Sequence, residues 1–462
     1  MIKLHDYQRE ALDFLLFRLL TLGEKGGSLQ LDPGLGKSLI SLCLIRELRR
    51  HGLANRVLIV APLRVCVLVW RQEIAKWGFG FSSVLIHGAS KRTKLLTPAD
   101  IYIANRESVP WLAEQYQAKF DLLINDESTS FKNWSAKRTA AMRKLIKRIP
   151  RRVNLTGTPI PNGEQDWFAQ QYIADDGEAL GKTITYFRQW AMKVDPNHHF
   201  GRKYLMTDAA KQEFYRRISP SVLRMGAEDH LDMPPRVDRT VEIDLPPRIA
   251  TIYRDIEKKL FAQLDDGSDL VASSAGAKYT LCRQIANGGA YQTDPITEER
   301  SELYVHDAKL DAVREIVSEL NGKPAIIAYQ FDHDRDRLSK AYPKAPAIRG
   351  GLPIKRTIEI VDAWNAGEIP VLLVQPQALS HGANMQTGGR DLIWFGHTDQ
   401  LEIYLQLNAR IYRQGQTGQV RFHHVVARGT VDEAVFTRLM DKTADQDAMM
   451  KALQAYREGK GL

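Results

Sequence analysis

Three cysteines in 462 residues, Cys43, Cys66 and Cys282, are too few and too widely spaced for a disulfide framework or a zinc site. They read as reduced core thiols, which points to an intracellular compartment. No apolar run approaches the ~20 residues needed to cross a bilayer. The longest N-terminal candidate, Ala11 to Leu22, is short and carries Arg18. The opening Met1-Ile2-Lys3-Leu4-His5-Asp6 lacks the basic-then-apolar layout of a secretory leader, so none is expected. Short-period repeats and low-complexity tracts are also missing. The pairs His198-His199 and His423-His424 have no Cys, Asp or further His at ligand spacing, so ordinary histidines are expected rather than a metal site. An acidic surplus is lacking too: 64 basic against 55 acidic residues give a net charge of +9, which favours polyanionic partners. What is present, 44% hydrophobic and 26% charged residues, is ordinary for a globular chain with real cores, and the length suggests two or three domains.

The stretch Leu29-Gln30-Leu31-Asp32-Pro33-Gly34-Leu35-Gly36-Lys37-Ser38 reads as a short buried strand, a glycine-containing turn and a helix beginning near Lys37. Gly34 and Gly36 let the backbone around Leu35 curl so that successive N–H groups point at one spot. The helix N-terminus adds its positive dipole end, and the turn can cradle phosphate oxygens. Lys37 can reach the β- and γ-phosphates and the Ser38 hydroxyl can bind Mg²⁺. Leu31 stands where such loops usually begin with glycine.

Asp121-Leu122-Leu123-Ile124-Asn125-Asp126-Glu127-Ser128 is an apolar strand ending in two carboxylates, at the edge of a parallel sheet where the loop also opens. Asp126 suits Mg²⁺, through water, and Glu127 suits orienting and deprotonating an attacking water. Leu155-Thr156-Gly157-Thr158-Pro159-Ile160-Pro161-Asn162 follows the next strand, with hydroxyls able to sense the nucleotide state. Further strand blocks at Val57–Val60, Val84–Ile86, Ile101–Ile103 and Val153–Leu155 alternate with helical segments, as in an α/β domain with a mainly parallel sheet. From Trp167 to Tyr304 short strands give way to helical stretches such as Arg248 to Leu264, punctuated at Leu231-Asp232-Met233-Pro234-Pro235-Arg236. Strand blocks return at Ala325–Ala328, Val371–Val374, Leu392–Phe395 and His423–Val426, a second unit of similar plan. The segment Thr430 to Tyr456 is expected to form a helix packed back on that unit. On a helix, Gln406, Arg410 and Arg413 would share one face, and two guanidiniums there suit phosphate contact. The basic string Arg143 to Arg152 reads as a solvated helix end or part of a nucleic-acid face.

These strings, in this order, resemble superfamily-two nucleic-acid ATPases, and most closely the Swi/Snf family of double-stranded DNA translocases. Leu4-His5-Asp6-Tyr7-Gln8 resembles its adenine-reading glutamine motif, and Leu58-Ile59-Val60-Ala61-Pro62-Leu63 with Trp70 and Trp77 its motif Ia. Leu155 to Asn162 is similar to motif III, Ile326-Ile327-Ala328-Tyr329-Gln330-Phe331 to motif IV, and Ala378, Gly382 and Asn384 to motif V. Gln406, Arg410, Arg413, Gly415 and Gln416 resemble motif VI. Ser221-Val222-Leu223-Arg224, then Leu231, Pro234-Pro235 and Tyr253, resemble the inter-lobe connection. Ser128-Thr129 stand where the family has Ala-His or Ala-Gln, and Leu379-Ser380 where it has two glycines.

The resemblance implies an α/β chain of two RecA-like lobes, parallel sheets flanked by helices, with helical insertions between them. Lobe 1 is expected over 1–170, helical protrusions and a linker over 171–304 with a boundary near 234–235, lobe 2 over 305–440 and a C-terminal helix over 441–462. ATP and Mg²⁺ are the implied cofactors: Gln8, Gly34, Leu35, Gly36, Lys37 and Ser38 bind nucleotide, Ser38 and Asp126 the metal. Lys37, Asp126, Glu127, Gln406, Arg410 and Arg413 are the implied catalytic set, and Arg64, Asn105, Thr156, Gln330 and Ser380 are carried over as DNA-backbone contacts. The implied partner is double-stranded or branched DNA, without a membrane, and a monomer is expected in a bacterial or phage-infected cytoplasm. The bare motor favours a prokaryotic or viral source, with no added reader domain. A strand-separating helicase and an ATP-gated scaffold are the alternatives.

Overall fold

A computed structural model describes residues 3–115, 118–161, 163–195, 204–264, 269–293, 298–379 and 383–457. Asn162, His198-His199, Ser380 and Gly382 lie outside the described residues. The chain divides into two compact units. One comprises Met1–Asp195, Tyr204–Asp232 and Ala444–Leu462, the other Pro196–Lys203 and Met233–Thr443.

The first unit is built on strands β1 (Gly26–Leu31), β2 (Val57–Ala61), β3 (Ser83–Ile86), β4 (Ile101–Asn105), β5 (Leu122–Asp126) and β6 (Arg151–Thr156). A small antiparallel ladder, β7 (Met192–Val194) and β8 (Tyr204–Met206), precedes β9 (Val222–Met225). The sheet runs β3-β4-β2-β5-β6-β1-β9, parallel at every step. β1, β2, β4 and β5 are buried along their whole length, which is why β2, β4 and β5 are continuous apolar blocks in sequence. β1 starts earlier than its apolar block, at Gly26. A Cβ there would lie 2.1 Å from the Arg152 carbonyl oxygen, so the strand can enter the sheet only as glycine.

The second unit carries β10 (Arg236–Ile243), a hairpin of β11 (Gly289–Thr293) and β12 (Arg300–Tyr304), then β13 (Ala325–Ala328), β14 (Ala347–Ile348), β15 (Val371–Val374), β16 (Asp391–Trp394) and β17 (Val420–Ala427). Its six-stranded sheet, β10-β17-β16-β13-β15-β14, is also parallel throughout. Apolar layers cover it on two sides, one around Trp364, Trp394 and Tyr404 and one around Val313, Ile327 and Phe395. Each unit is thus a parallel sheet flanked by helices, the RecA-like plan, with the helices Pro247–Leu264 and Asp269–Asn287 inserted before the second sheet's central strands.

Two expectations need correction. The stretch 171–304 is not purely helical, since β9 completes the first sheet and β10 begins the second. β9 is only four residues long and contains Arg224. β10 reads Arg-Val-Asp-Arg-Thr-Val-Glu-Ile and is exposed along most of its length, the charge pattern of a protected sheet edge rather than of a core strand. The start of the terminal helix, Val431–Arg457, packs on the second unit, where Leu439 joins the core and the Phe436 ring is tilted against those of His397 and His424. From Ala444 onward it belongs to the first unit.

The basic string is largely structural. Arg148 donates to the carbonyls of Ala113 and Gln115, both at 2.8 Å, which satisfies the end of the helix Val109–Glu114. Arg152 is buried and bonds Ile149, and Arg143 lies 3.6 Å from the Trp134 ring centre. Lys144 and Lys147 remain exposed.

Candidate active site

Because β5, β6 and β1 are consecutive and parallel, the loops leaving their carboxyl ends share one edge, with β1 and β5 only ~10 Å apart. The β1 loop, Asp32 to Gly36, leads into the helix Lys37–Arg50. Gly34 (φ 98°) and Gly36 (φ 81°) take the left-handed conformation that turns the backbone amides inward, and Leu35 is fully buried and pins the loop. Lys37 Nζ donates to the carbonyls of Leu31 (2.6 Å) and Asp32 (3.4 Å), so the residue in place of the leading glycine acts through its backbone oxygen. Ser38 follows in the first helical turn.

Gln8 lies on the helix Asp6–Leu16 and is buried, not solvated. Its Nε2 donates to the Leu35 carbonyl at 3.3 Å, and its Oε1 accepts the His5 N–H. A Cβ on residue 36 would sit 2.4 Å from that Nε2 and displace it, and the φ of 81° itself calls for glycine. Gln8 is therefore at the loop itself.

At the end of β5, the Trp70 indole N–H donates to Asp126 Oδ2 at 2.9 Å and the Glu127 N–H to Oδ1 at 3.1 Å. Glu127 sits at φ 52°, ψ 59°, a left-handed conformation that disfavours a side chain by ~1–2 kcal/mol. Such strain persists only where the surroundings enforce it. Burial pushes the Asp126 carboxyl up, against Lys37 and the two N–H donors. Burial likewise pushes the Lys37 ammonium down, against the carboxylates of Glu127, Asp126 and Asp32. The two groups lie within electrostatic reach of one another.

The oxygen donors fit Mg²⁺. Among the described residues no cluster of three or more His, Cys, Asp or Glu could cage a metal. A Ser hydroxyl plus one carboxylate is instead the donor set of an ion that also takes phosphate and water.

Ser128 departs from the family pattern, but it is not idle. Its Oγ donates to Gln170 Oε1 at 2.6 Å, and Gln170 Nε2 donates to the Pro159 carbonyl at 2.6 Å. A glutamine from the helix Asp166–Asp175 thereby bridges the carboxylate strand and the Thr156–Pro159 turn. Nothing in the string around Gln170 marks it, because the bridge spans 42 residues of sequence. In sequence Trp70 stands out only as part of a motif, because its bond to Asp126 likewise spans 56 residues.

In the second unit the placement of the arginines differs from expectation. The helix Leu401–Asn408 holds Gln406 but ends before Arg410 and Arg413. The Arg410 N–H bonds the Leu407 carbonyl and the Asn408 side chain accepts the Trp394 indole, closing the helix into a turn toward Gly415 (φ 90°). Both arginines instead donate to the adjacent residues Ala383 and Asn384. Arg410 donates to the Gln406 and Ala383 carbonyls (3.1 and 3.3 Å), and Arg413 to the Asn384 side chain. Gln406 is 4% exposed and donates to Glu402.

The expected DNA-contact positions divide. Asn105 (6% exposed) and Thr156 (2%) are buried, with side chains engaged by Glu107 and Ser108 and by the Thr158 N–H. Both side chains bond within the turns that follow β4 and β6. Arg64 and Gln330 are half-buried; burial lowers the Arg64 guanidinium's affinity for its proton, and Gln330 accepts from Gln377 at 3.4 Å.

A family model described as the SNF2-related domain matches residues 7–288. The chain is 34% identical to protein p41 of Acyrthosiphon pisum secondary endosymbiont phage 1, over 91% of this chain and 93% of that protein. It is 25% identical to the DNA repair and recombination protein RAD54B of Gallus gallus, over 95% of this chain and 53% of that one. Against the CHD3-type chromatin-remodeling factor PICKLE of Arabidopsis thaliana the identity is 23%, over 93% and 33% respectively. The chain therefore spans almost all of the phage relative but a third to about half of these two eukaryotic ones. Among solved structures, the Sulfolobus solfataricus SWI2/SNF2 ATPase core in complex with dsDNA aligns over 98% of this chain and 95% of that one, at 21% identity and a TM-score of 0.45. With the phosphate loop, the carboxylate pair and a family match over more than half its length, the chain belongs to the SNF2-related family.

Proposed function

We propose that the chain is an ATP-dependent double-stranded DNA translocase, in which DNA-stimulated ATP hydrolysis drives movement along DNA or the remodelling of DNA–protein complexes. One observation carries this reading: a phosphate loop and an Asp-Glu pair leave one parallel-sheet edge, with Gln8 bonded to the loop. Relatives named for DNA repair, recombination and chromatin remodelling support the choice of DNA.

In this mechanism the loop amides and Lys37 hold the β- and γ-phosphates, and Gln8 reads the adenine edge. Ser38 and, through water, Asp126 would hold Mg²⁺, which would neutralise charge on the phosphate oxygens. Glu127 orients a water and takes its proton as the water attacks the γ-phosphorus and the bond from that phosphorus to the β-phosphate's bridging oxygen breaks, releasing ADP and phosphate. Arg410 and Arg413 supply positive charge to the leaving phosphates, and Gln406 a neutral amide. Asp126, fixed by Trp70, stays oriented throughout. Duplex is expected to be held mainly at its phosphates, hence without strong sequence choice.

The test is steady-state ATP hydrolysis without nucleic acid, then with duplex DNA, single-stranded DNA and RNA. Stimulation by duplex alone, followed by displacement of a triplex-forming strand, is the expected result. Stimulation by single strands or RNA would replace the reading with an unwinding helicase. Binding without hydrolysis would replace it with an ATP-gated scaffold.

A further inference from the structure

The phosphate loop contains a carboxylate, Asp32, in a place where polyphosphate is to bind. Like charges this close repel, so the loop needs a compensating cation besides Lys37. Arg224 supplies one. β9 pairs with β1 in a register that sets Arg224 beside Gln30. The Arg224 Nη1 lies 2.6 Å from Asp32 Oδ1 and also donates to the carbonyls of Gln30 (3.0 Å) and Met225 (2.9 Å). Its side chain is only 11% exposed. Asp32 Oδ2 accepts the Ala227 N–H at 2.9 Å, so the loop carboxylate is gripped on both oxygens by one segment.

The same segment touches the site a second time. The His230 ring stacks on Tyr7, centroids 5.2 Å apart, and Tyr7 precedes Gln8. Two residues after His230 the chain leaves the first unit, at Asp232.

We propose that Arg224 is a positioning residue for nucleotide binding: it acts through Asp32, cancelling the loop's negative charge and fixing the loop to the segment that exits the unit. Asp32 and Arg224 also act on Lys37 with opposite sign, Asp32 favouring its ammonium form and Arg224 opposing it. The inference rests on the proposed ATP site.

The test titrates a fluorescent ATP analogue into the full chain and its variants, alongside kcat and KM for ATP. R224M should weaken binding and raise KM by about tenfold with a smaller change in kcat, because an uncompensated carboxylate then faces the phosphates. R224K should recover most of that loss, to within about threefold of wild type. D32N should do the opposite of R224M and tighten binding, since Arg224 is then the unbalanced charge. The double variant D32N/R224M should return to within about threefold of wild type. A purely packing role predicts that both single variants weaken binding and that the double is no better than R224M; either result overturns the proposal. If thermal melting shows R224M unfolded, the sign of the D32N effect decides. If the wild type itself does not bind the analogue, the ATP reading of the site fails first and this inference with it.

Discussion

Glu127 shows how one residue can be asked for two incompatible things. Its carboxylate suits a general base, while its backbone, at φ 52°, suits glycine. Two variants separate these demands. E127Q should retain ATP binding and lose at least about 100-fold in turnover, as expected for removal of a base. E127G should unfold at a higher urea concentration than E127A, by the equivalent of about 1 kcal/mol, because only glycine relieves the left-handed strain. Equal midpoints would show that the backbone there is unstrained. Arg413, tied to Asn384, is the second case: R413A should cost roughly 10³ in kcat if its guanidinium reaches the phosphates, and a loss below tenfold would remove that role. At this scale the sequence was most legible where chemistry sits in short strings. Lys37, Asp126 and Glu127 could be picked out because each motif is local. Trp70, Gln170 and Arg224 could not be given their roles, because their partners lie 56, 42 and about 190 residues away and are chosen by strand order.

At the level of elements, the strands buried on both faces were readable as apolar blocks, and the exposed edge strand β10 was not. That strand nevertheless anchors a buried polar chain. His397 Nε2 meets His424 Nδ1 at 3.1 Å, and His424 Nε2 meets Asp238 of β10 at 3.2 Å, with Phe436 of the terminal helix against both rings. Burial pushes both imidazoles down, His397 well below its ordinary range, and His424, Lys309 and Arg283 oppose its protonation further. Asp238, held by His424 and Arg236, titrates at about 2 and stays ionised above pH 4 or so. The unfolded chain therefore binds protons below about pH 6.5 that the fold refuses, and stability should fall as pH drops from about 7 to 5. Each histidine contributes up to about 1.4 kcal/mol per pH unit in that window. Urea midpoints at pH 7.5 and 5.5 measure it, and H397N should reduce the difference by about half. A midpoint that rises on acidification would mean the imidazoles are charged in the fold. Nearby, the wholly buried Lys309 is 2.6 Å from Asp432 at the start of the terminal helix. K309M leaves that carboxylate unpaired and should destabilise by about 3–5 kcal/mol.

For the molecule as a whole, the net charge of +9 carries a solution prediction. If duplex is held at its phosphates, the DNA concentration for half-maximal ATPase stimulation should rise steeply between 50 and 200 mM salt, by about tenfold or more. A salt-independent value would point to contacts other than phosphates. The RecA-like plan of both units was legible because alternating strand and helix blocks are a whole-chain signal; the assignment of the terminal helix to two units was not, because a continuous helical pattern has no mark where its neighbour changes. The strand order of the first sheet has one more consequence, and it concerns synthesis. β1, which ends in the phosphate loop, lies between β6 and β9, so one of its two neighbours is encoded almost 200 residues downstream. At about 5–20 residues per second, a ribosome that has made Leu31 needs roughly 10–40 s more to reach Met225. Throughout that interval the nascent loop strand has an open hydrogen-bonding flank and an unbalanced Asp32. A chaperone or a neighbouring nascent chain has its best opportunity to engage the protein there, before the proposed nucleotide site is complete.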